Sequence, residues 1–195
     1  MSEPFTAPVG EKRELIPAKS YQAVCYALID LGTHETPFGE SHKIYMTFEI
    51  PGLRIEYERD GEKLEGPKVI GKEFTWSMHE KSNLRKAMES WRGKPFTELQ
   101  AKDFDFTKLL GVNCTIQIMH GTSKKGNEYA YINAILPLMD GMEEKKAENP
   151  HLFFTFRKPF VDETGFHWPE NLPEWIQNKI KESKRPTAHR PGTPA

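Results

Sequence analysis

Two neighbouring stretches in the middle of the chain constrain its fold more than any other feature. In residues 112–119, apolar side chains alternate with polar ones, which is the pattern of a strand with one buried face. A similar alternation runs through residues 128–136, after a turn that contains Lys and Gly. The two stretches predict a β-hairpin, and they place Tyr129 and Tyr131 on the face that points away from the core.

Three strands and a helix are predicted before this hairpin. The strands lie at residues 21–31, 43–50 and 68–77, and an amphipathic helix follows at 79–91. Ser77 and Glu80 have the spacing of a capping box at the start of that helix, and Gly93 ends it. Three strands, a helix and two strands form the order of the OB-fold, a five-stranded, partly open Greek-key barrel that the helix closes at one end. We therefore predict a mainly β protein, a β-barrel with one capping helix.

The connections between these elements are also predicted. The first strand has apolar residues on both faces, as expected for a long strand that curls around a small barrel. The turn-rich residues 32–41 are expected to form a loop, and residues 51–66 to include a short hairpin. Thr97 and Gln100 have capping-box spacing, so a second short helix is expected there.

The chain divides into four parts by composition. Residues 1–19 are predicted to be a flexible arm and residues 20–138 the OB-fold domain. Residues 139–183 contain a charged linker, an aromatic segment and a short helix, and residues 184–195 form a basic, Pro-rich tail that we expect to be disordered. The aromatic segment needs a surface to pack against, and three placements are open: a barrel edge of the same chain, a neighbouring copy, or the binding groove itself.

Composition limits the class of protein. The 195 residues carry a net charge of −1, so any surface that attracts anions must be local. Residues 1–11 do not resemble a signal peptide, and no run of 18 apolar residues occurs. We therefore expect a cytoplasmic protein without membrane contact. Cys25 and Cys114 both fall on predicted strands at apolar positions, which favours reduced thiols in the core.

Sequence motifs of the common enzyme classes do not occur. The seven histidines are dispersed, and HExxH, GxxxxGK[ST], GxGxxG and GxSxG patterns are missing. Asp103 and Asp105 are interpreted as helix and turn residues, because a two-metal nuclease needs further acidic ligands. The prediction is a non-catalytic protein with no cofactor and no metal site.

The residues on the outward faces of the predicted strands favour nucleic-acid binding. Rings on which unpaired bases could stack alternate with cations that could contact phosphates. The candidate rings are Tyr45, Tyr129, Tyr131 and Trp76, although the sequence leaves open which face Trp76 occupies. The candidate cations are Lys43, Lys72, Lys124 and Lys125. In an OB-fold they would line a groove between the loops at 32–41 and 120–127. Two alternatives remain open: the lysine turn only increases solubility, or the tyrosines lie beneath the C-terminal segment or at a subunit contact.

Three segments resemble proteins of a known type. The segments YQAVCYALIDLG, HEKSNLRKAMESWRGKPF and LLGVNCTIQIMHGTSKKGNEYAYINAILPL look like those of phage and prophage single-stranded DNA-binding proteins of OB-fold type. The resemblance covers residues 21–138 and implies a role in DNA replication or recombination in the cytoplasm of a host cell. The basic C-terminus departs from the acidic tip with which such bacterial proteins recruit partners.

The sequence thus supports two functional hypotheses. In the first, the protein coats single-stranded DNA with little sequence preference during phage-type replication or recombination. In the alternative, the barrel and the C-terminal aromatic segment form a protein-interaction module that binds a helicase, a recombinase or another copy of the chain. The near-neutral net charge favours the second hypothesis, and the outward tyrosines favour the first.

Overall fold

The computed structural model describes residues 14–59, 61–155, 161–162, 165–169 and 172–184. In chain order the strands are β1 Ser20–Thr36, β2 Gly39–Arg59, β3 Glu62–Thr75, β4 Asn113–Thr122, β5 Glu128–Leu136, β6 Leu152–Phe154, β7 Val161–Asp162 and β8 Gly165–Phe166. The helices are α1 Asn83–Arg92, α2 Glu98–Lys102 and α3 Glu174–Lys181, with a 3-10 helix at Phe106–Leu109. The predicted flexible arm and disordered tail fall largely outside the described residues, at 1–13 and 185–195.

The five long strands form one curled antiparallel sheet in the order β3-β2-β1-β4-β5. The short strand β6 adds to β1 in parallel, and β7 pairs with β8 in a separate two-stranded sheet. The curled sheet is a half-barrel, and α1 contacts the two strands at its edges, β3 and β5. The predicted fold class is therefore confirmed: the protein is mainly β, its strand order is compatible with an OB-like barrel, and a short C-terminal helix follows.

The inner face of the half-barrel holds the first core, which α1 closes at one end. The indole of Trp91 on α1 packs against Phe48 of β2, with ring centroids 5.6 Å apart. The helix begins later than predicted, because Ser82 forms its N-cap: the Ser82 hydroxyl accepts a hydrogen bond from the backbone amide of Arg85. The predicted capping box at Ser77 and Glu80 is wrong. The predicted stop is confirmed, since Gly93 adopts the left-handed conformation with φ 69°.

The connection between β1 and β2 is shorter than the sequence suggested. Residues 32–41 were expected to form a loop, but β1 continues to Thr36 and β2 starts at Gly39. Only Pro37 and Phe38 remain as the turn. The two strands pair in antiparallel fashion up to Thr36 and Gly39, with a register shift at Leu31. This pairing satisfies the backbone hydrogen bonds of a polar stretch that would otherwise form a loop.

The remaining local predictions separate into confirmed and corrected ones. The hairpin within residues 51–66 is present, and Thr97 and Gln100 form the expected capping box of α2. On β5, Asn133 is an extra residue in the pairing with β4, because Gln117 pairs with Ala134 and Ile118 with Ile132. After this residue, the side chains of β5 that point into the core are the alternate set. Ile135 is therefore buried, whereas Leu136, which an unbroken alternation through residues 128–136 would place on the core face with Ile132, is 39% exposed.

A second core lies on the outer face of β1 and β2. It is built by apolar residues of β1 and of the C-terminal segment, all at most 3% exposed: Ala27, Ile29, Leu31, Phe154, Leu172, Ile176 and Ile180. The apolar residues on both faces of β1 therefore reflect two cores as well as strand curvature. The C-terminal segment thus packs on its own chain: β6 pairs with β1, and α3 covers the outer face of β1 and β2, including Tyr45 of the predicted groove.

The described residues also answer two smaller questions. Cys25 and Cys114 are unpaired and fully buried, as expected for core thiols. No helix in the described part of the chain combines the length and apolarity needed to cross a membrane.

Candidate nucleic-acid interface

The hairpin of β4 and β5 presents two tyrosines and two lysines at the surface. Tyr129 is 46% exposed, and its ring lies 5.9 Å from that of Tyr131 at a tilt of 46°. The ring of Tyr129 covers Gly121 on the opposite strand, where a Cβ atom would be 3.0 Å from the phenol. The absence of a side chain at Gly121 thus lets the ring lie against the sheet, while nearly half of the residue stays exposed and can be stacked upon.

The turn of this hairpin holds Lys124 and Lys125 at its tip. The amide of Ser123 donates to the carbonyl of Asn127 at 2.8 Å, and Gly126 adopts φ 80°. Both lysines are exposed. Two exposed cations on the same hairpin as two rings are chemically suited to a phosphate backbone whose bases contact the rings.

A groove of about 880 Å³ lies between β3, α1 and the end of β5. We call it the lysine groove, since four lysines line it beside a single carboxylate, Glu73. The lysines are Lys43, Lys72, Lys81 and Lys86. Because α1 presents its residues at a period of 3.6, Asn83, Lys86, Ala87 and Ser90 form one continuous wall of the groove.

The four cations differ in how far they are already engaged. Lys72 donates to the carbonyl of Ile132 at 2.7 Å and so joins the two edge strands β3 and β5. Burial lowers the pKa of Lys72. Lys43 donates to the hydroxyl of Thr75 at 3.1 Å and lies 3.9 Å from Glu73.

Lys81 and Lys86 make no ion pair among the described residues, and both are exposed. Glu73, in contrast, is bound by Lys179 of α3. The single carboxylate of the groove is therefore partly neutralised, and the local charge is positive although the chain as a whole is nearly neutral.

The groove and the tyrosine hairpin share strand β5. Asn133 lines the groove, and its side chain donates to Gln117 of β4 at 2.7 Å. Tyr131 lies two residues earlier on the same strand, which corresponds to about 7 Å along β5. A single strand of nucleic acid that follows β5 would therefore pass from the rings to the lysines within about two nucleotides.

Tyr45 does not belong to this surface. Its ring lies across Gly71 of β3, where a Cβ would come within 2.3 Å of it, and Trp175 of α3 packs edge-on against it at 5.2 Å. Burial, with a smaller contribution from the charge of Glu73, raises the pKa of the Tyr45 hydroxyl. The alternative that a tyrosine lies beneath the C-terminal segment thus holds for Tyr45 but not for Tyr129.

Trp76 is also separate from the exposed tyrosines. Its indole packs edge-on against Phe106 at 6.2 Å and against His42 at 5.0 Å. It is partly buried against the first core. The face of Trp76, which the sequence left open, is therefore the core face.

The structure thus distributes the predicted site residues over three places. Tyr129, Tyr131, Lys124 and Lys125 share the hairpin of β4 and β5, Lys43 and Lys72 line the lysine groove, and Tyr45 and Trp76 pack elsewhere. Sequence reasoning missed Lys81 and Lys86. The helical period of residues 83–90 could have placed Lys86 on the polar side of α1, but which strand this side faces is a tertiary property.

A buried carboxylate on β1, Asp30, has a structural role. Asp30 accepts the amide of Gly32 at 2.9 Å and contacts a ring nitrogen of His42 at 2.6 Å. Thr155 donates to its second oxygen at 3.3 Å. These contacts connect both strands to the residue after β6.

Within the described residues, no three His, Cys, Asp or Glu side chains are grouped so that they could hold a metal ion. Comparison of the chain with models of known protein families finds no matching family, and comparison with curated proteins finds no significant match. A function for this chain must therefore be argued from its own residues.

Proposed function

We propose that the protein is a non-catalytic single-stranded DNA-binding protein that acts in phage-type DNA replication or recombination. The observation that carries this proposal is the junction of a tyrosine pair, of which Tyr129 is exposed and Tyr131 half-buried, with a positively charged groove along β5. Tyr129 and Tyr131 would stack with bases, and Lys81 and Lys86 would contact phosphates. The resemblance of the three quoted segments to phage single-stranded DNA-binding proteins supports the biological setting.

The proposed surface suits unpaired bases better than a duplex. In a duplex, the faces of the bases are stacked on one another, so an exposed ring such as that of Tyr129 gains nothing from them. An unpaired base gains about 1–3 kcal/mol by stacking on an aromatic side chain. Because every base has a flat face, binding of this kind has little sequence preference.

Charge should make the binding depend strongly on salt. For single strands, a plot of the logarithm of the binding constant against the logarithm of the salt concentration has a negative slope. Each neutralised phosphate contributes about −0.7 to that slope. The two unpaired lysines of the groove and the two at the hairpin tip, four in all, give an expected slope of about −3 at most.

The test is fluorescence anisotropy of a labelled dT oligonucleotide, compared with a duplex of equal length. The variant Lys81→Gln/Lys86→Gln should weaken binding to the single strand about tenfold at low salt and reduce the salt slope by about 1.4. Lys63→Gln/Lys108→Gln is the matched control, since it removes the same charge from exposed positions outside the groove. Absence of single-strand binding at low salt, or an equal loss in both variants, would refute the proposal.

The alternative, an interaction module of a replication or recombination complex, would need a surface other than the one first suggested. Leu172, Ile176 and Ile180 of the C-terminal segment are buried against the barrel of the same chain. They are therefore not available to hold a helicase, a recombinase or a second copy, unless the segment detaches.

A further inference from the structure

A second cavity, of about 640 Å³, opens on the opposite flank of α1. Its walls are largely apolar and include Trp91, Phe104, Leu109 and Pro137. Leu99 of α2 lies at its border and is 71% exposed. We call this cavity the Arg92 pocket, because a guanidinium is the only cation among its lining residues.

Arg92 makes no hydrogen bond or ion pair with another described residue, but its charge helps to lower the pKa of Glu89, which precedes it on α1. Its guanidinium lies over the ring of Phe96, 4.1 Å from the centroid, and its Nη1 atom is shielded from solvent without a hydrogen-bond acceptor. Asp103 also lines the pocket, but no carboxylate of the described residues lies within ion-pair distance of Arg92. A shielded N–H group without an acceptor is destabilising until a partner supplies one.

Arg85, on the same helix, is buried, whereas Arg92 is half-buried, and Arg85 has several acceptors. It donates to the carboxylates of Glu89 at 3.1 Å and Glu98 at 2.8 Å, and to the carbonyl of Phe96 at 2.9 Å. The contrast is local, since the two arginines lie two turns apart on α1. The missing acceptor at Arg92 therefore indicates that a ligand provides it.

We propose that the Arg92 pocket binds a peptide segment of another protein in which a large apolar side chain stands next to a carboxylate. The apolar side chain would fill the space bordered by Trp91, Phe104 and Leu99, and the carboxylate would accept hydrogen bonds from Arg92. The occupant follows from charge complementarity, because an entirely apolar partner would leave the guanidinium unpaired.

The position of the pocket makes it compatible with an occupied lysine groove. Met88, Trp91 and Arg92 line the pocket, whereas Lys86 and Ser90 line the groove. The period of the helix places these two sets on different flanks of α1. The partner peptide and a nucleic acid can therefore be bound at once, and the pocket does not depend on DNA binding.

The test uses three hexapeptides, blocked at both ends, added to the full-length ¹⁵N-labelled protein and followed by amide and indole NMR shifts. Their central residues are Phe-Glu, Phe-Gln and Ala-Glu between Gly-Ser pairs. We expect the Phe-Glu peptide to shift the indole signal of Trp91 and to bind at least about tenfold more tightly than either of the others.

Substitutions then assign the preference for a carboxylate to Arg92. Arg92→Gln should make the Phe-Glu and Phe-Gln peptides bind alike, whereas Lys102→Gln, an exposed position on α2 outside the pocket lining, should keep the preference. Leu99→Ser should weaken both Phe peptides without removing the preference, and its high exposure leaves the fold intact.

Several results would overturn the proposal. These are equal binding of the Glu and Gln peptides to the unaltered protein, no shift with any peptide, or a preference that survives in Arg92→Gln. Sedimentation velocity provides the remaining test: a concentration-dependent dimer that Leu99→Ser abolishes would assign the pocket to a second copy of the chain and so contradict a peptide partner.

Discussion

Tyr45 and Tyr129 both lie against a glycine of the neighbouring strand, yet of these two rings only that of Tyr129 is open. On β2, Tyr45 covers Gly71, and on β5, Tyr129 covers Gly121. The first ring lies under α3, where Trp175 contacts it, and the second is 46% exposed. The same local geometry therefore produces a buried contact in one place and a candidate stacking surface in the other.

The neighbouring strand explains the difference. Beside Tyr45, strand β1 presents Ala27, Ile29 and Leu31 on the same outer face, and these three side chains need cover. Beside Tyr129 and Tyr131, the outer face of β4 carries Gly121 and Met119, and Met119, 42% exposed, is a single apolar side chain before the exposed Gln117. An outward tyrosine is thus available for a ligand only where the adjacent strand has no apolar stripe of its own.

The largest effect is expected from removing the open pair. Tyr129→Ala/Tyr131→Ala should weaken binding of a dT oligonucleotide at least about 30-fold, since two stacking contacts of about 1–3 kcal/mol each are lost. The measurement is anisotropy of the labelled oligonucleotide at low salt. The double Tyr→Phe variant keeps both rings and should bind as the unaltered protein does.

Tyr45→Ala is the matched comparison, because it removes a ring of the covered surface. It should change the affinity less than about twofold and instead lower the free energy of unfolding by about 1–2 kcal/mol, through lost packing against Trp175. Equal losses of affinity in both variants would mean that α3 moves away when DNA binds, and that the two surfaces do not differ in function.

The next effect concerns α3, the helix that covers the outer face of β1 and β2. Ile176→Ala removes a side chain that is 2% exposed in the second core, so the free energy of unfolding in urea should fall by about 2–4 kcal/mol. Glu174→Gln, at an exposed position of the same helix, should leave it nearly unchanged. An unaltered unfolding curve for Ile176→Ala would show that α3 is not held on β1 and β2 in solution.

The smallest effect is expected from the ion pairs of Lys184, which follows α3 in the chain. Lys184 binds Glu35 at 2.5 Å and Glu40 at 2.7 Å, and its hydrogen bond and charge hold the pKa of Glu35 below the usual value of 4.5. Because the folded pKa is lowered, this stabilisation is present above the usual value and is lost as pH falls through the lowered pKa. These groups are exposed, so salt should weaken the effect.

Urea unfolding of the unaltered protein and of Lys184→Gln at about pH 7 and about pH 3 measures this contribution. The midpoints should differ slightly at the higher pH and coincide at the lower one. A difference that persists at low pH, or that grows in high salt, would exclude the carboxylates of Glu35 and Glu40 as the cause.

Local sequence rules worked where the residues that decide a structure are adjacent in the chain. The capping box at Thr97 and Gln100 and the glycine stop at Gly93 were predicted correctly, because each depends on atoms within one helical turn. The capping box at Ser77 and Glu80 failed, since Ser82 competes for the same role five residues later and packing of α1 decides between them. The loop at 32–41 failed because pairing with a partner strand overrides turn-forming composition.

The candidate site shows the same division at a larger scale. Alternation along β5 was sufficient to place Tyr129 and Tyr131 outward, and the hairpin turn was sufficient to expose Lys124 and Lys125. Alternation could not show that Tyr45 is covered, since its cover is about 130 residues away in the chain. It also could not bring Lys81 and Lys86 next to β5.

The amino-acid sequence by itself determined the strand order, the class of fold, the two core cysteines and the exposed hairpin, because hydrophobic period and turn chemistry are local physical constraints. Only the tertiary structure decided which outward face is buried, which lysines share a groove and which arginine has no acceptor. Those outcomes depend on burial and charge pairing between segments distant in sequence, and the free energy of such contacts is absent from any local pattern.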